Sequence, residues 1–122
     1  MQQPHVIKDG DEKNDENDDS FLRRLMAIVE SDRPQKERID DALRLCTAHA
    51  ARIKAKYGLL TGGRPTRQDV ARVRRELRAL HDEMIRRESV YPDCSATQNV
   101  LRATIRMMAC ERDRYQIEVA KV

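Results

Sequence analysis

Residues 66–88 read TRQDVARVRRELRALHDEMIRRE, and the spacing of their apolar side chains decides the fold class. Val70, Val73, Leu77, Leu80 and Met84 step alternately by three and four residues, which gathers all five on one stripe of an α-helix. The flanks of the stripe differ in sign. Asp69, Glu76 and Glu83 run along one side, and Arg67, Arg74 and His81 along the other. A helix patterned in this way is built to lie against another helix, so the five apolar residues are assigned to a helix–helix interface. Thr66 and Asp69 have the spacing of a capping box and mark where the helix opens.

Similar helices flank this one. Upstream, Pro34 suits the first turn of a helix, where its missing N–H would be unpaired in any case. Ile39, Leu43, Cys46, Ala50, Ile53 and Tyr57 then form an apolar stripe that stops at Gly58, and 59–65, with Gly62-Gly63, is a loop. Downstream, Tyr91-Pro92-Asp93 makes a turn, and Ser95 to Gln98 repeats the capping-box logic. The stripe that follows is Leu101, Ile105, Met108, Tyr115 and Val119, interrupted by Arg112. A short first helix, capped by Asp18, Asp19 or Ser20, runs to about Glu30 and carries Phe21, Leu22, Leu25, Met26, Ile28 and Val29. No segment alternates in the manner of a strand.

The expected fold is all-α: an elongated antiparallel helical bundle of one short N-terminal helix and three long helices. Composition agrees, since aromatic residues are 3%, Trp is absent and charged residues reach 37%. A core of Leu, Ile, Val, Met and Ala suits helices better than sheets. Helices of about 24 to 28 residues would be roughly 36 to 42 Å long, and the loops between them suit antiparallel neighbours. Residues 20–122 are expected to form a single domain. Residues 1–19, ending in DGDEKNDENDD, hold too little apolar surface to offset the entropy of ordering and are expected to be a disordered acidic tail.

Charge is distributed unevenly. Residues 1–20 hold two lysines and seven acids, a net of −5, and the rest hold 22 basic and 14 acidic groups, a net of +8. A basic body attracts anionic partners, and an acidic tail can steer or mask such a surface. Arg64, Arg67, Arg74, Arg75 and Arg78 form the patch expected to meet nucleic acid or an acidic partner, with guanidinium groups spaced to reach successive phosphates. The second short helix of a helix-turn-helix is missing. Few aromatic residues are available to stack on bases, which favours duplex over single strand.

Other functional classes find less support. Cys46 and His49 lie three apart on a helix, but structural metal sites use paired short spacings that are absent, so no metal or other cofactor is expected. No nucleophile elbow or phosphate-binding glycine loop occurs, and a non-enzymatic protein is expected. Three cysteines without CxxC spacing suggest a reducing, cytoplasmic setting, and no membrane span is present. Eighteen arginines against six lysines hint at a bacterial or phage genome. The leading expectation is a small regulator, adaptor, chaperone or inhibitor that binds a protein partner through helix faces; the alternative is an accessory duplex-DNA-binding protein of plasmid or phage type. Homodimerisation through a coiled-coil surface is a further expectation. A parallel zipper along residues 70–84 would be only about three heptads long and would set Glu83 against Glu88, so this stripe suits one wall of a bundle better.

Overall fold

The computed structural model describes residues 17–59 and 65–121, with side chains through Arg114. Four helices account for most of them: α1 (Asp18–Val29), α2 (Gln35–Lys56), α3 (Arg67–Glu88) and α4 (Ala96–Lys121). No strand occurs among the described residues. The expected helical bundle is the observed fold.

Helix ends follow local chemistry. The Asn17 side chain caps α1 by accepting from Ser20 N at 2.9 Å. The cap therefore precedes the three residues expected to supply it, and Asp18 and Asp19 fall inside the helix. Two negative side chains in the first turn complement the helix dipole. Pro34 stands just before α2 with extended ψ, and its carbonyl accepts from Arg38 N at 3.0 Å. Gly58, at φ +76°, ends α2 in a Schellman motif: Gly58 N–H donates to Ala55 O and Leu59 N–H to Lys54 O. Thr66 Oγ1 accepts from Asp69 N at 3.0 Å, which is one half of a capping box. At the start of α4, Ser95 Oγ accepts from Gln98 N at 3.1 Å, and Gln98 Oε1 reaches back to Cys94 N at 2.6 Å. Cys94 has a positive φ of 65°, and this bond to the buried Gln98 helps hold it there.

Cross-helix pairs fix the directions. Arg102 meets Glu88, and Arg112 approaches His81, so α4 runs back along α3. Thr47 reaches Met107 and Lys54 reaches Glu111, so α2 and α4 point the same way. Asp18 meets His49, and Val29 O accepts from Arg38 at 3.1 Å, which makes α1 antiparallel to α2. That last bond also satisfies a carbonyl left open at the end of α1.

The most extensive packing joins α3 to α4, followed by α2 to α4, whereas α2 and α3 touch little. Consecutive helices α2 and α3 are thus separated by α4, and loop length alone could not reveal this. Burial follows the arrangement. Val70, Val73, Leu77, Leu80 and Met84 are all buried, as their stripe requires. On α4 the buried set among the described side chains is Gln98, Val100, Leu101, Thr104 and Met108, with Ile105 only half-buried, because two long neighbours widen the covered face. On α2, Ala42, Leu45 and His49 join Cys46, Ala50 and Ile53 in the core, and Leu43 and Ile39 move to its margin. The cause is α1, which lies along α2 and buries Phe21, Leu22, Leu25 and Val29 against it. Tyr115 and Val119 lie outside the described side chains. No helix among the described residues is long and apolar enough to cross a membrane.

Two predictions follow from the packing. Leu77 has no exposed surface, so Leu77→Ala should cost about 2–5 kcal/mol, read as a lower urea midpoint with an unchanged slope. Tyr91, in the α3–α4 turn, donates to Glu30 Oε2 at 2.6 Å. Burial, and then this bond to a carboxylate, push its phenol up to about 12. An unfolded tyrosine loses its proton near pH ~10, so Tyr91 adds stability that is complete below pH ~10 and disappears as pH rises towards about 12. In an alkaline absorbance titration, Tyr91→Phe should remove a late-titrating phenol.

Candidate binding face

The polar residues that border the core sort into two groups, those that tie helices together and those left facing outward. On the acidic flank of α3, Glu76 belongs to the first group, whereas Glu83 and Asp69 pair within their own helix. Glu76 accepts from the Tyr57 hydroxyl and from Lys56 Nζ at 3.3 Å, both at the end of α2. The Lys56 ammonium also stands 5.4 Å from the Tyr57 ring centre. Glu83 is gripped by Arg86 at 2.6 Å and Arg87 at 2.9 Å, and these bonds hold its carboxylate below the usual range. Asp69 meets Arg72 at 3.5 Å.

Arg112 and its neighbours tie α4 to the other long helices. The ammonium of Lys54 stands 2.8 Å from Glu111, an ion pair between α2 and α4 with both groups mostly covered. Arg112 is half-buried, makes a long 3.4 Å contact with His81 Nδ1, and donates from Nε to Asp113 Oδ1 at 3.0 Å. Its carboxylate partner is therefore the adjacent residue in the chain, with no acid from another helix needed.

The seven arginines of α3 divide cleanly. Arg72, Arg86 and Arg87 have carboxylate partners. Arg67, Arg74, Arg75 and Arg78 have no such partner among the described residues. Arg67, Arg75 and Arg78 are exposed and Arg74 is half-buried. At ~100° per residue, Arg67, Arg74 and Arg78 fall within about 40° of one another around the axis, with Arg75 beside them. Glu76 and Asp69 lie on the opposite flank. Asp82, one turn beyond Arg78, stands 3.5 Å from His81 Nδ1. Arg64, the fifth residue expected in this patch, lies outside the described residues.

Ala71 sits at the middle of the four arginines, at offsets of −4, +3, +4 and +7 residues. A helix presents such offsets as nearest neighbours and the next turn. Four arginine positions thus surround this alanine on the helix surface. The arginine types and spacing were legible in the sequence, but the absence of acid partners was not.

Cys46 lies in the apolar core, and His49 turns to α1. His49 Nε2 is 3.0 Å from Asp18 Oδ1, and its ring stacks on Phe21 with centres 4.3 Å apart. Sequence reasoning missed this role, since a histidine beside an apolar stripe carries no sign of which helix will cover it. No group of three or more metal-ligating side chains occurs among the described residues. Comparison with protein-family models, with curated proteins and with solved structures gives no match.

All three cysteines are free thiols, with Cys46 buried and Cys94 and Cys110 exposed. Burial pushes the Cys46 thiol up to about 12. A thiol-exchange reagent at neutral pH should therefore modify Cys94 and Cys110 in the native protein and Cys46 only after unfolding. Equal rates at all three positions would contradict this packing.

Proposed function

We propose that this is a non-enzymatic binding protein of regulatory or adaptor type that docks an anionic macromolecular partner on the outward face of α3. The observation that carries the reading is the set Arg67, Arg74, Arg75 and Arg78, four cations on one face without a carboxylate partner among the described residues. Four like charges within about 16 Å along a helix repel one another, and an anionic partner relieves that repulsion. Several polar groups at the helix borders, including Glu76, Tyr57, Lys54 and Arg112, are engaged in joining helices. A rigid helix face held by the α3–α4 seam is a surface for docking.

Retention on immobilised heparin, a sulfated polyanion, tests the reading. A variant carrying Arg67→Gln, Arg74→Gln, Arg75→Gln and Arg78→Gln should elute at clearly lower salt than the wild type. Its control replaces Arg33, Arg44, Arg86 and Arg102 by Gln, removing four charges that are already paired. Both sets lie on helices or at their ends and Gln is a good helix former, so circular dichroism should be unchanged. Equal losses in the two variants would mean that overall charge, not this face, governs binding.

A further inference from the structure

Resting on that reading of the face, we infer that its partner is the phosphate backbone of duplex nucleic acid, seated over Ala71 with the four guanidinium groups around it. Charge complementarity is the first support. Arginines already held by carboxylates would have to break those pairs, whereas these four meet phosphates directly and release counterions from the duplex. The shape of the face is the second. Its centre is a methyl group, so a convex backbone can approach the helix closely while longer side chains close around it. Arg67 to Arg78 spans about 16 Å of the axis, enough to follow several phosphates of one strand.

What the face presents also separates nucleic acid from protein. A stable protein interface is centred on apolar or aromatic anchors, with charges at its rim. Here the outward residues of 67–79 are arginine, glutamine and alanine. The large hydrophobic residues exposed among the described residues are Ile85, at 43%, and Val90, at 76%, both beyond the arginine cluster. Single strands are held largely by stacking on aromatic rings, and this face has none. With no side chain reaching a base edge in this arrangement, binding is independent of sequence.

Fluorescence anisotropy with a labelled duplex of about 20 base pairs, roughly twice the ~33 Å length of α3, reads the inference. The affinity should fall with salt at a logarithmic slope of about −3.6, as four phosphate contacts require. Arg74→Gln and Arg78→Gln should each make that slope shallower by about one, equally on duplexes of unrelated sequence. Ala71→Glu, which places a carboxylate at the centre, should weaken binding at least about tenfold. Ala48→Glu, an exposed position on α2 away from this face, should change it far less.

No anisotropy change at about 50 mM salt, or a slope indifferent to Arg74 and Arg78, would overturn the inference. The heparin experiment separates the two levels. If heparin retention still depends on the four arginines while the duplex stays silent, the face stands and its partner is not nucleic acid; binding of polyglutamate would then assign it to an acidic polypeptide. If heparin retention is also indifferent to these residues, both readings fall together.

Discussion

The seam between α3 and α4 is the contact on which the other features rest. It buries Val70, Val73, Leu77, Leu80 and Met84 on one side, and Leu101 and Met108 sit fully covered on α4. Full burial of side chains of this size contributes about 1.5–3 kcal/mol each. Rotating α3 by even one position would expose part of that surface, so the seam fixes which way α3 faces. It also fixes what lies outside. With the apolar stripe turned inward, Glu76 on one flank meets the end of α2, and Arg67, Arg75 and Arg78 on the other side stay exposed.

The helix α4 has long neighbours on two sides, and its buried residues show it. Val100, Leu101, Thr104 and Met108 do not trace one narrow heptad row. The buried Thr104 hydroxyl donates to Leu101 O at 2.6 Å, so placing a polar residue there leaves no unpaired hydroxyl. Similarly, the buried Gln98 side chain bonds to Cys94 N and to Asp93 Oδ1 at 3.3 Å. Thr104 and Gln98 are thus satisfied by the backbone or an adjacent turn, whereas the buried His49 takes its carboxylate, Asp18, from another helix.

Ion pairs at the margins add little individually, since exposed pairs contribute about 0–1 kcal/mol. Their value here is in register and in what they consume. Arg102 with Glu88 and Lys54 with Glu111 align α4 with its two long neighbours. Glu76 is occupied by Lys56 and Tyr57, and Glu83 by two arginines of its own helix. These two acids of α3 are thus already engaged. Sign-sorted flanks, which in isolation resemble one half of a charged zipper, here come from a bundle that spends its acids internally.

Periodicity alone determined the helical class, the inward stripe of α3 and the stop at Gly58, because these depend on spacing within one helix and on local backbone chemistry. The capping residues Thr66 and Ser95 were legible for the same reason. Relations between helices were not. Which helix separates α2 from α3, why Ala42 and Leu45 are buried while Leu43 is not, and that His49 stacks on Phe21 all depend on the path of the chain between elements. The five-residue arginine patch was visible as composition and spacing. Only the tertiary structure decided that four of its members stand without acids among the described residues, because a carboxylate's partner is set by distance in space, and distance in space is fixed by how the apolar seams close.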